Sequence, residues 1–264
     1  MTIVDCWNNY QNDLRNKADF VSYPSDYDIT VDKSDNYEND LENPSINYVR
    51  DYKVKATRIG GIDVSPGEGK CVVTITVLSY PSLEVIYTYN EVHTIMEPYI
   101  PSYLAMRESK PIRETFYNFI NTLEVDDIPQ VYIVDGNGRL HDREAGLATQ
   151  IGVELDIATI GASKNYYPLT SLNNWRSDAK SFRSTIKGKL KRRGEWLGLF
   201  NIYGKEYVGA ALLTGEKANN PIYISAGHKC TLYYAIAMTL STAKHRVPEP
   251  IRIADQAGRQ YVEK

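Results

Sequence analysis

The chain is short of cysteine. Cys6, Cys71 and Cys230 stand far apart with no CxxC pair, which excludes a disulfide scaffold and a cysteine-built zinc site. That usage fits a reducing compartment, so the protein is expected inside the cell, in the cytoplasm, the nucleus or the nucleolus. No apolar run approaches the roughly 18–20 residues that a membrane span requires. The opening MTIVDCWNNYQNDLRNKADF lacks the apolar stretch of a secretory signal, and neither leader nor membrane partner is expected. Positive charge is not in excess: 30 Lys and Arg against 33 Asp and Glu leave a net of −3, which excludes a uniformly basic nucleic-acid coat. Phenylalanine is scarce, five against 21 tyrosines. Compositional bias and a base-stacking surface both account for that excess.

What is present is ordinary for a globular protein: 264 residues, 42% hydrophobic and 24% charged. With no repeat and no long linker, one domain over 1–264 is the expectation, and a monomer. The charges are segregated. Residues 23–48 carry seven acidic side chains and one basic, and residues 176–193 carry eight basic and one acidic.

Periodicity gives a coarse architecture. Residues 1–21 hold an amphipathic helix with Trp7, Tyr10, Leu14 and Phe20 on one stripe. The acidic segment 23–48 shows little periodicity and reads as a surface excursion. Order resumes in 57–256. TRIGGIDVS, KCVVTITVLSY and EVIYTYNEVH, joined by short turns, form an antiparallel meander. Then SYLAMRESKPIRETFYNFINTL is helical in period, with Pro111 as a break or a second start. QVYIVDG is a buried strand, REAGLATQIGVELD a helix and IATIGA a further strand. WLGLFNIY, EYVGAALLT and PIYISAG are short strands, and TLYYAIAMTLSTAK is a C-terminal helix. The fold class is therefore α/β, a mixed sheet with helices on both faces.

Two phosphate-binding patterns fail on inspection. SPGEGKC has Val64 where a P-loop needs its first glycine and Cys71 where it needs a hydroxyl. DGNGRLH has His141 in place of the third glycine of a dinucleotide fingerprint. The acids are more informative. Asp63 interrupts the apolar RIGGIDVS, and Asp135 ends QVYIVDG. Burying an unpaired carboxylate costs several kcal/mol, and hard oxygen ligands beside glycines suit Mg²⁺. Glu108 in the next helix can complete such a cluster, and His228 follows a strand in a Gly-His turn. Strand-terminal aspartates also cap turns, so each alone is ambiguous.

The segments GGIDVS, PYIPSYLAMRE, VYIVDGNG, HDREAGLA, IATIGASK, PIYISAGHK and RVPEPIRIAD resemble, in order and spacing, the endonuclease V family. The resemblance covers about residues 57–256 and implies a ribonuclease H-like fold. It implies metal-binding acids at Asp63, Glu108 and Asp135, with Mg²⁺ as cofactor and Mn²⁺ as a substitute. It also implies Lys164 beside the scissile phosphate and His228 as a catalytic-site histidine. The PYIP segment becomes a wedge with Tyr99 at its tip and Pro101 behind it. Gly136, Gly138, Leu104 and Leu147 become the pocket for hypoxanthine. Ser102 departs from a family glycine, Gln150 and Asn137 from histidines, and Asp142 from a proline.

The implied partner is inosine-containing single-stranded RNA or DNA. The implied reaction is hydrolysis of the second phosphodiester 3′ to inosine, leaving 3′-hydroxyl and 5′-phosphate ends. DGNG resembles eukaryotic members and leans toward RNA. In the basic run, Lys187, Lys189, Lys191 and Arg192 are candidates for phosphate contact, with a solvated helix face as the alternative. Three other readings stay open: a deoxyinosine-specific DNA repair enzyme, a different ribonuclease H-like nuclease, and a non-catalytic inosine-binding module.

Overall fold

The computed structural model describes residues 2–32, 46–95, 97–166, 168–169, 179–201, 206–216 and 220–262. The first helix, α1 (Ile3–Lys17), starts on a capping box between Thr2 and Asp5. Its stripe is used as expected: Leu14 is buried, Trp7 packs on the Tyr103 ring and the Tyr10 hydroxyl donates to Glu154.

The acidic segment is not wholly an excursion. Tyr27–Asp32 form β1, and Ile46–Val54 form β2. Tyr27, Ile29 and Val31 alternate with polar residues and pack on the core. That period of two was hidden by its acidic partners. Residues 33–45 lie outside the described residues.

The meander is as expected: β3 (Arg58–Pro66), β4 (Lys70–Ser79) and β5 (Val85–Thr94) pair antiparallel in sequence. Helix α2 (Leu104–Ile120) runs unbroken through the buried Pro111. Proline there removes one backbone hydrogen bond; burial of Ile112, Phe116 and Phe119 on the sheet offsets it. Strand β6 (Val131–Asp135), helix α3 (Leu147–Leu155) and strand β7 (Thr159–Ser163) follow. Helix α4 (Ala179–Lys189) occupies much of the basic run. Strands β8 (Glu195–Asn201), β9 (Glu206–Leu212) and β10 (Ile222–His228) precede α5 (Leu232–Thr242). The expected C-terminal helix is α5, yet a further helix, α6 (Glu249–Val262), follows it.

The ten strands form one mixed sheet in the order β1-β2-β8-β9-β10-β7-β6-β3-β4-β5. Its centre is parallel: β3 pairs with β6, and β6 with β7. Alternation in β6 shows why both faces are covered. Val131 and Ile133 belong to the core beneath α5, whereas Tyr132 and Val134 belong to the core beneath α2 and α3. Full burial of side chains such as Ile59, Ile62 and Ile133 contributes about 1.5–3 kcal/mol each before entropy is counted. Asp135 continues the first of these two faces, at the strand's exposed end.

Helix α6 reaches β3 because of glycine. A Cβ on Gly61 would stand 2.3 Å from the Pro250 carbonyl oxygen, and one on Gly258 would stand 2.5 Å from Ser65 Oγ. Without both glycines α6 could not lie against the strand that carries Asp63.

Candidate active site

The parallel register assembles the acids. Ile62 is opposite Val134 across β3 and β6, so the next residues, Asp63 and Asp135, stand side by side at the sheet's edge. On the neighbouring strand β7, Asp135 is opposite Ala162. Lys164 lies just past that strand's end and donates from Nζ to Asp135 Oδ2 at 2.6 Å. Glu108 enters from α2 on one face. From the other face α6 delivers Asp255, whose Oδ1 is 3.7 Å from Lys164 Nζ. Asp255 is the residue that sequence reasoning missed. It sits in the quoted RVPEPIRIAD motif, but no helix was expected there to aim it.

Electrostatics confirm that these groups feel one another. Asp63, only 4% exposed, is pushed up to about 7 by burial and by the charges of Asp135 and Asp255. The Ser65 hydroxyl, donating to Asp63 Oδ2 at 3.1 Å, and Lys164 oppose that rise. Glu108 is pushed up to about 8 by burial and then by Asp63, with Arg107 opposing. Burial works against the Lys164 charge, yet Asp135, Asp255 and Asp63 hold its pKa above the ordinary value.

Excess negative charge on hard oxygens, held apart by repulsion, is the donor chemistry that a divalent cation relieves. Among the described residues no three His, Cys, Asp or Glu side chains close into a tight cage. The donor set fits such an ion: Lys164 pairs with Asp135 and Arg259 with Asp255, which leaves the four acids in excess.

His228 is not part of this cluster. Strand β10 runs antiparallel to β7, which puts His228 opposite Thr159 at the far end from Asp135's partner Ala162. Three residue steps along the strand separate those positions, roughly 10 Å at 3.3 Å per residue. His228 Nδ1 accepts from the Asp19 backbone N–H at 3.1 Å, and Nε2 faces Asp156 Oδ1 at 3.6 Å. Burial lowers its pKa, against the pull of Asp156. The ring ties the chain after α1 to the end of α3.

Beside the acids opens a cleft of about 320 Å³. Tyr99, Leu104, Gly136 and Leu147, all expected there, line it together with Asn137 and His141. Tyr99 stands 65% exposed at its mouth. A Cβ on Gly136 would stand 3.2 Å from Leu147 Cβ, so a side chain would crowd the cleft floor. Burial lowers the His141 pKa to about 4, keeping the ring neutral, and its Nε2 bonds the Ser102 carbonyl at 2.9 Å. Ser102 sits at φ +68°, in the left-handed region that favours glycine, the residue the family resemblance implies here.

Two expected pocket residues lie elsewhere. Gly138 is buried under β10: its N–H donates to Ser225 Oγ at 2.9 Å, and a Cβ would stand 2.2 Å from the Ala226 carbonyl oxygen. It is a packing glycine. Pro101 is exposed and outside the cleft lining.

The basic run divides similarly. Phe182, Ile186 and Leu190 bury an apolar stripe of α4 against β8, β9 and β10. Arg192 is already engaged, donating to Glu195 Oε1 at 2.8 Å and lying 4.6 Å over the Tyr48 ring. Lys191 is exposed. Lys189 is half-buried, and the Lys187 side chain lies outside the described residues.

The family model for endonuclease V matches residues 43–256. The chain belongs to the endonuclease V family. Human endonuclease V is 34% identical over 210 residues, spanning 78% of this chain and 72% of the human protein. The mouse protein is 33% identical over 208 residues, but those span only 60% of its length. Among solved structures, the catalytic domain of human endonuclease V superposes with a TM-score of 0.78 at 27% identity, covering 98% of this chain and 96% of that one. Ciona intestinalis endonuclease V, bound to a 24mer DNA containing an inosine followed by a ribo-adenosine, gives 0.79 at 28% identity and 98% of both chains. This endonuclease V family member therefore has the ribonuclease H-like fold, with Asp63 and Asp135 side by side on two of its central strands. No described helix is long and apolar enough to cross a membrane.

Proposed function

We propose that this family member is a metal-dependent endonuclease that recognises inosine in RNA or DNA and hydrolyses the second phosphodiester 3′ to it. The observation that carries this reading is one adjacency. Asp135 ends β6 among the gathered carboxylates, and the next residue, Gly136, lines the cleft beneath Tyr99. A base drawn into the cleft would therefore place its own strand across the acids. The Ciona relative bound to inosine-containing DNA supports inosine as that base.

Asp63, Glu108, Asp135 and Asp255 would hold Mg²⁺, with Mn²⁺ as a substitute. When bound, such an ion supplies Lewis acidity to a phosphoryl oxygen and lowers the pKa of bound water. Lys164, charged at neutral pH, would stabilise negative charge developing on the phosphate. Tyr99 would fill the gap left by the extruded base. Inosine pairs weakly, so its unstacking costs less than that of a normal base. At Gly136 the backbone would meet the edge of hypoxanthine, whose oxygen accepts where the adenine amine donates.

The asparagine of DGNG favours RNA at least as well as DNA. A deoxyinosine repair enzyme is the second reading, since the Ciona complex is with DNA. Side-by-side cleavage of single strands carrying rI, dI, rA or rG at one position decides between them. Preferred cutting of rI, with 3′-hydroxyl and 5′-phosphate products, is expected in Mg²⁺ and none in EDTA. Equal cutting of rI and rA would sink the inosine assignment; dI cut far faster than rI would sink only the RNA leaning.

A further inference from the structure

A second cavity, of about 140 Å³, adjoins the acids on the side away from β6. Its walls include Lys164, Arg183 from α4, Arg246 from the link between α5 and α6, Asn220 and Tyr223. Two guanidinium groups share this space, and none of the described residues lining it is a carboxylate. Among the described residues neither Arg183 nor Arg246 forms an ion pair with an acid. Arg246 Nε donates to the Pro221 carbonyl at 3.1 Å, and its Nη2 donates to the carbonyls of Pro221 and Lys164. These dipoles orient the group and leave its net charge in place. Burial lowers the Arg246 pKa; Tyr223 opposes this, and the nearby Arg183 adds to it. Like charges are held together here at a cost, which an anion between them would remove.

The cavity's position identifies the anion. Asn165 lines both this cavity and the base cleft. Arg246 lines both this cavity and a wider groove of about 590 Å³ that also holds Arg193, Lys244 and His245, with Glu216 as its one acid among the described residues. Cleft, cavity and groove thus follow one another through shared lining residues, with Lys164 in the wall of the middle one, an order that suits a polymer. We propose that Arg183 and Arg246 form a phosphate subsite that grips a backbone phosphate of single-stranded nucleic acid flanking the linkage that is cut. This subsite rests on the reading of the carboxylates as the place of cleavage. Arg246 is also a positioning residue, because its bond to the Lys164 carbonyl fixes the residue whose ammonium meets Asp135.

The test is binding of labelled single strands to the full chain in EDTA, between 50 and 200 mM salt, where phosphate contacts register. Strands with and without inosine are compared. Arg183 is exposed, so Arg183→Gln should fold normally and lower the slope of log affinity against log salt by about 0.7 on both strands. Arg183→Glu, which gives Arg246 the carboxylate it lacks, should weaken binding further. Lys53→Gln, an exposed charge on the distant β2, should leave the slope unchanged. An unchanged slope and affinity in Arg183→Gln, or an equal fall in Lys53→Gln, would overturn the subsite. Inorganic phosphate alone should not bind measurably by calorimetry; Arg183-dependent phosphate affinity with an unaltered strand slope would overturn the backbone assignment. Loss of inosine preference with the Arg183 effect intact would count against the proposed function and leave the subsite standing.

Discussion

Lys164 Nζ and Asp135 Oδ2 meet at 2.6 Å across the ends of two adjacent parallel strands, and Asp255 approaches the same ammonium at 3.7 Å. One cation from just past β7 is thus shared by acids from β6 and α6, Arg259 also pairs with Asp255, and among the described residues Asp63 and Glu108 form no ion pair. The site is left with surplus negative charge, and that surplus governs the first two expectations.

Asp63→Ala and Asp135→Ala should each reduce Mg²⁺-dependent nicking of an inosine strand by at least about 100-fold, the scale of losing a contact to developing charge. Asp255→Asn should do the same. Circular dichroism should stay native in all three; the denaturant midpoint should hold or rise in Asp63→Ala, which removes repulsion, and fall modestly in the other two, which also lose an ion pair. Near-native cleavage in any one variant would remove that residue from the site.

The folded pKa values of Asp63, about 7, and Glu108, about 8, lie above the ordinary carboxylate range. The folded state therefore binds more protons than the unfolded state between those limits, and stability must fall as pH rises. In EDTA the melting temperature should decline from about pH 4 to about pH 8 through these groups. Divalent cation should cancel the decline while releasing protons. Asp63→Asn with Glu108→Gln should flatten it, and a pH-independent melting point in EDTA would contradict the electrostatics of the site.

Charge reversal at the basic run should not act uniformly. Lys191→Glu should lower the salt slope of strand binding by about 0.7 if its exposed ammonium meets a phosphate. Arg192→Gln should leave the slope unchanged, because Glu195 already neutralises that guanidinium. Equal effects of the two substitutions would refute this division.

Gly138→Ala is expected to destabilise rather than to alter base preference. The added Cβ would meet the Ala226 carbonyl oxygen at 2.2 Å, and overpacking of this kind costs about 1–3 kcal/mol. A lower urea midpoint with unchanged selectivity of residual cleavage checks it.

Tyr99→Ala, at an exposed position, should leave stability unchanged and weaken inosine-strand binding by the ~1–3 kcal/mol of a lost base stack. Anisotropy titration against the same strand measures it; unaltered affinity would take Tyr99 out of the interface.

The meander, the central strands and the apolar stripes of α1 and α2 were legible in the sequence because each is a local period of two or 3.6. Asp63, Asp135 and Gly136 were legible for a related reason: a carboxylate or glycine that interrupts an apolar strand is costly there and so stands out. β1 was lost among acids, since alternation is hard to see when the outward residues are all of one charge. The placing of His228 could not be read locally. A Gly-His turn after a strand looks the same at either edge of a sheet, and only the antiparallel direction of β10 sends it away from the acids. Gly138 was likewise a motif glycine whose task, clearance from Ala226, belongs to a strand distant in sequence. Asp255 and the Arg183–Arg246 pair join the site only through the docking of α6 and α4. The sequence by itself determined which strands end in carboxylates; the sheet order and the close approach of α6 over Gly61 and Gly258 decided which charges meet there.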